Sequence, residues 1–122
     1  MGKAIDNSVL DAALGIFDNG TGMSACSAQP TTRTEAATTY MLAATSMTAG
    51  SDYTIANGDT SGRKVTTAAK NGVSVTNSGT ATHVAIYDGS TLLAVTTCTS
   101  QALTAGNTVN FPAWKYEVQA PT

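Results

Sequence analysis

Alternating polar and apolar positions outnumber helical stripes along this chain, and they gather in its second half. Val73 and Val75 share one face of an extended segment, as do Val84 and Ile86, and again Val109 and Phe111. Successive side chains of a strand point to opposite faces, so this alternation predicts strands with one side turned to a core. The segments 73–76, 81–87, 92–97, 108–111 and 114–118 favour β-branched and aromatic residues. Turn formers separate them at Asn77-Ser78-Gly79, Asp88-Gly89-Ser90 and Ala105-Gly106-Asn107. The whole stretch from Gly72 to Pro121 therefore reads as short antiparallel strands and tight turns.

The first half opens with a helix. Asp6-Asn7-Ser8 supplies capping oxygens, Asp11 favours the positive end of the helix dipole, and Asp18-Asn19-Gly20 ends the element. Val9, Leu10, Ala13, Leu14 and Phe17 make one apolar face, which packs either on the chain's own sheet or on a neighbouring subunit. Gly22 to Ala28 reads as a strand, halted at Gln29-Pro30 because proline removes a ladder donor. Within Thr34 to Ala44, the spacing of Ala37, Tyr40, Met41 and Ala44 predicts a short helix that the threonines resist. Strands at 46–48, 53–55 and 63–68 flank the turn-rich run 56–62. The fold class that follows is mainly β: an antiparallel β-sandwich or jelly-roll-like barrel with an N-terminal helix. Residues 1–21 form the helix or arm, and residues 22–122 a single β-sandwich domain.

Composition sharpens the picture of the surface. Threonine and alanine fill 42 of the 122 positions, and only 11% of residues are charged, against about a quarter in ordinary soluble domains. Such a hydroxyl-rich, weakly charged exterior suits flat protein contacts, which argues for a homo-oligomer or larger assembly. A net charge of −2 and six scattered basic residues offer no stripe for a phosphate backbone, so no nucleic-acid partner is expected. No basic start leads into an apolar stretch, and no run approaches ~18 apolar residues, which predicts neither a signal peptide nor a membrane partner. The chain is expected to be made in cytoplasm, and Asn19-Gly20-Thr21 then reads as a turn rather than a glycosylation site. Cys26 and Cys98 have no metal-like spacing and no basic neighbour. A cytosolic pair reads as two buried free thiols, with a cross-sheet disulfide formed outside the cell as the other reading.

Candidate chemistry is sparse. Any Ser-His-Asp or Cys-His relay would pass through His83, the single histidine, which shares a strand face with Ala81, Ala85 and Tyr87 and reads as a sheet-surface residue. Asp52, Asn57, Asp59 and Asp88 lack the alternating ligands and distal glutamate of a calcium loop. Gly58 to Lys64 fails as a phosphate loop, because three residues separate its glycines and Val65 follows the lysine. Trp114 and Tyr116 fall on one face of the last strand and keep a sugar-stacking platform open, beside the plainer reading of core or subunit packing. Catalytic residues, metal ligands and cofactors are each expected to be none, and the chain is not read as an enzyme.

Several stretches carry a resemblance: Val9 to Leu14, Cys26 to Thr32, Asn57 to Lys64, Ser78 to Ala85, Thr104 to Val109 and Phe111 to Trp114. Together they resemble small virion structural proteins of tailed bacteriophages over nearly the whole chain, in motifs that are structural rather than catalytic. The resemblance implies localisation in the virion. It also implies a capsid cement or decoration protein that binds across subunits of the major capsid protein, meets copies of itself and stabilises the shell. The alternative is a tail, neck or fibre-associated β module binding host glycan through Trp114 and Tyr116.

Overall fold

The computed structural model describes residues 6–118; the outermost parts of the two expected units, 1–5 and 119–122, lie outside the described residues. Helix α1 (Asn7–Phe17) precedes strands β1 (Gly22–Cys26), β2 (Met41–Ser46), β3 (Tyr53–Asn57), β4 (Arg63–Thr67) and β5 (Lys70–Ser74). Then come β6 (Gly79–Tyr87), β7 (Leu92–Leu103), β8 (Thr108–Phe111) and β9 (Lys115–Val118). The fold is mainly β, sandwich-like, with every named pairing antiparallel. Sheet order is β2-β1-β6-β7 in one layer and β3-β4-β9 in another, with a two-stranded β5-β8 ribbon. The ribbon continues from β2, through the Ala43–Val75 bridge and the amides of Thr76 and Asn77 donating to the Leu42 carbonyl.

All three sheets and the helix share one core. Leu14 and Phe17 of α1 pack with Met23, Leu42, Tyr53, Val65, Val73, Ile86, Leu103 and Phe111. Each such side chain contributes on the order of 1.5–3 kcal/mol on burial. The alternation read at 73–75 is borne out, since Val73 and Val75 are both buried. Ile86 and Phe111 are buried too, with Val84 and Val109 half-buried beside them on the same core.

Strand β1 is buried at every position. Its second face meets the segment between β1 and β2. There the Ser24 hydroxyl donates to the Ala36 carbonyl at 2.7 Å, and Cys26, Ala36, Ala85 and Tyr87 form a second small core. Arg33 of the same segment lies over the Tyr87 ring, 5.1 Å from its centroid, and donates to the Asp88 carbonyl. Gly22 makes room for this arrangement, because a Cβ there would come 2.5 Å from the Tyr87 ring.

Four expectations need correction. The helix expected within Thr34 to Ala44 is a single π-helical turn, Glu35–Thr39, followed by strand β2. Glu35 turns back to accept from the amide and hydroxyl of Thr31, and pairing with β1 then claims Met41 to Ser46. A strand at 46–48 is consequently displaced to 41–46. Strand β7 runs to Leu103, six residues beyond the expected end at Thr97. Asp11 lies outside the first turn of α1; the cap is Asp6, which accepts from the Ser8 amide, and Asp11 pairs instead with Arg63 at 2.7 Å.

Candidate functional site

Helix α1 buries Leu10, Leu14 and Phe17, the i, i+4, i+7 stripe, against its own sheets. That leaves a second apolar stripe, Val9, Ala13 and Ile16, in solvent. Val9 is 53% exposed and Ile16 60%; with Tyr116 at 51% they are the large hydrophobics exposed among the described residues. Ile16 and Tyr116 line one groove of about 450 Å³, floored by Leu14 and Phe17 and walled by Leu93, Val95 and Val118. The apolar face expected on this helix is therefore split. Leu10, Leu14 and Phe17 serve the core, while Val9, Ala13 and the unanticipated Ile16 are presented outward.

A second groove, also about 450 Å³, opens between β7 and the β8 end of the chain. Ala25, Ala81 and Val84 line it together with Thr96 to Thr99 of β7 and Val109 to Pro112. Trp114 completes the wall, its ring meeting Phe17 edge-on at 5.7 Å, while Tyr116 meets the same ring at 6.1 Å. The two aromatics proposed as one sugar platform thus both touch the Phe17 ring but line different grooves. Trp114 carries one unusual feature: its Nε1 is buried without a hydrogen-bond partner among the described residues. A buried indole N–H left unpaired costs about 1–3 kcal/mol, a cost that an incoming acceptor would remove.

The polar candidates are held in structural roles. Asp52 accepts from the Thr48 amide and pairs with Lys70 at 3.1 Å, and both contacts hold its carboxyl below the usual range. Asn57 accepts from Arg63, Asp59 pairs with Lys64 and Lys115, and Asp88 accepts from the amides of Ser90 and Thr91 across a turn. Asn57 and Asp59 share one hairpin and the others lie elsewhere, and no group of three His, Cys, Asp or Glu residues with metal-binding geometry occurs among the described residues.

The Gly58 to Lys64 loop is the β3-β4 hairpin turn, closed by the Gly58 amide on the Gly62 carbonyl. Its free-facing amides at Asp59 and Thr60 already meet the Glu117 carboxylate. An anion thus occupies the cradle from within the chain. Gly58 is required there, since a Cβ would lie 2.1 Å from the Ser61 carbonyl oxygen.

His83 is half-buried, pairs in register with Cys26 on β1 and Thr97 on β7, and shares a 2.8 Å hydrogen bond with the Thr82 hydroxyl through Nδ1. Both cysteines are free thiols, but only Cys26 is buried, so the expectation of two buried thiols holds for that one alone; Cys98 is exposed on β7. Burial pushes the Cys26 thiol up despite the Ser24 hydroxyl, and desolvation pushes up Cys98. Neither is poised as a thiolate. No helix among the described residues is long and apolar enough to cross a membrane.

Comparison with known proteins adds no relative: no family profile, no curated protein and no solved structure matches the chain.

Proposed function

We propose that this protein is a structural component of a tailed-phage virion, acting as a capsid cement or decoration protein across subunits of the major capsid protein. The observation that carries the reading is the outward stripe Val9, Ala13 and Ile16, with the groove that Ala13 and Ile16 share with Tyr116. Exposed large hydrophobics gathered at one groove on a weakly charged domain suit a docking surface, with aromatic and aliphatic anchors at its centre. The polar side chains already engaged in turns and ion pairs support a role in assembly rather than chemistry. Particles prepared without the chain should release their nucleic acid at a lower temperature, and adding the purified chain should restore the original threshold. Shells that neither bind the chain nor gain heat resistance would remove the proposal.

A second reading draws on Trp114. Its unpartnered Nε1 beside an apolar groove suits a ligand with a hydroxyl or carbonyl acceptor, as a host glycan on a tail, neck or fibre module would have. Trp114→Phe keeps an aromatic ring, though a smaller one, and removes the donor. Retention on a glycan array should then fall if this reading holds and stay unchanged at zero if the docking reading holds.

A further inference from the structure

Strand β7 lies at the edge of the four-stranded layer and pairs with β6 alone. An unprotected edge presents a row of unpaired backbone donors and acceptors, which natural proteins shield with short strands, charges, prolines or bulges. This one is twelve residues long and contains no charged residue and no proline from Leu92 to Leu103. Six consecutive residues, Thr97 to Ala102, are exposed among the described residues, several of them at the rim of the Trp114 groove. Bulges are the shielding devices present: Cys98, Thr99 and Ser100 have no register partner on β6 and lie opposite Thr82, and a second irregularity falls at Leu93, near the start of the strand.

The sequence of this edge reads nearly the same in both directions about Cys98. Thr97 mirrors Thr99, Thr96 mirrors Ser100, Ala94 mirrors Ala102, and Leu93 mirrors Leu103; Val95 against Gln101 is the exception. Two antiparallel copies related by a two-fold axis at Cys98 would place each residue opposite its mirror position. Leucine would meet leucine, alanine alanine, and hydroxyl hydroxyl. Cross-strand pairs of matched size and polarity are the unit of sheet stabilisation, and a two-fold contact requires a self-complementary surface. The charge-free edge also lets two chains of net charge −2 approach there without local repulsion.

We propose that the β7 edge is a homodimer interface, at which a second copy of this chain adds its own β7 antiparallel about a two-fold axis at Cys98. The two four-stranded layers then join into one continuous eight-stranded sheet. The inference needs no other protein, and its centre at Cys98 lies apart from Leu93 and Val95, the part of β7 that lines the helix groove.

The test uses the purified full chain. Light scattering across a dilution series should give twice the 12.3 kDa chain mass. Diamide, which takes up the two electrons and two protons of the thiol pair, should cross-link two chains through Cys98. At the axis the facing Cα atoms of an antiparallel pair are about 4.5–5.5 Å apart, within disulfide reach. Cys98→Ser should abolish the cross-link while leaving the dimer. Thr99→Lys and Ala102→Lys, both at exposed positions, should each give a monomer with an unchanged circular dichroism spectrum. A monomer at every concentration, a dimer that survives both lysine variants, or a dimer whose Cys98 thiols fail to cross-link would each overturn the proposal.

Discussion

Ile16 and Tyr116 come from opposite ends of the described chain, line the same groove, and are each more than half exposed. One helical turn before Ile16, Ala13 continues the stripe, and Val9 extends it towards the start of the helix. On the far side of α1, Leu10 is only 5% exposed. The helix therefore has two apolar faces with separate duties, and substitutions should separate them. Ile16→Asp is expected to change the stability of the free chain by less than about 0.5 kcal/mol, as surface changes usually do, while weakening its attachment to shells. Leu10→Asp places a carboxylate in an apolar site and should cost several kcal/mol of stability. Urea melts of the two variants, read beside shell-binding assays, check the contrast; an Ile16→Asp chain that binds shells as well as the parent would move the docking surface elsewhere.

Two glycines should respond in opposite senses to alanine. A Cβ on Gly22 would meet the Tyr87 ring at 2.5 Å, and Arg33, 5.1 Å from the centroid of that ring, helps hold it in place. Gly22→Ala should cost about 1–3 kcal/mol by overpacking. Gly15 lies inside α1 with nothing within 4 Å of its missing Cβ. Gly15→Ala should stabilise by about 0.5–1 kcal/mol, because the helix keeps its geometry and the unfolded chain loses freedom. Thermal denaturation of both variants gives the signs directly.

Stability should fall at both ends of the pH scale, for different reasons. Burial pushes the Tyr53 hydroxyl from its ordinary 10.0 up to about 12, and in its neutral form it donates to the Gly20 carbonyl at 2.9 Å. A folded-state value above the unfolded one means that stability is fully present below pH 10 and is lost as pH rises towards 12. Tyr53→Phe should remove this part of the alkaline loss while lowering stability at neutral pH by about 1–3 kcal/mol, because the Gly20 carbonyl loses its donor. At the acid end, the Thr48 amide and Lys70 hold the Asp52 carboxyl below its ordinary 3.8. That contribution is present above pH 3.8 and disappears as pH falls through the lower folded value. Unfolding free energies measured across the scale for the parent and Tyr53→Phe check both windows.

Local pattern carried the parts of this fold that local physics decides. The alternation around Val73, Ile86 and Phe111 and the capped helix after Asp6 are visible because each needs only neighbouring residues to define it. Strand β2 was hidden, because Ala37, Tyr40, Met41 and Ala44 have helical spacing and only the distant partner β1 overrules it. The second half of β7 was hidden for another reason: Thr97 to Ala102 is polar or small throughout, so it has no alternation to read. The site was half legible. The sequence marks Trp114 and Tyr116 as the notable aromatics, but which groove each one lines depends on how helix and sheet pack. Ile16 went unmarked because a helical stripe predicts one buried face and says nothing about a second apolar one.

Quantitative mass spectrometry of purified particles, counting this chain against the major coat protein, tests the proposed role most directly. The cement or decoration reading predicts a copy number that scales with the coat protein across the shell. A handful of copies per particle, or none, would contradict it.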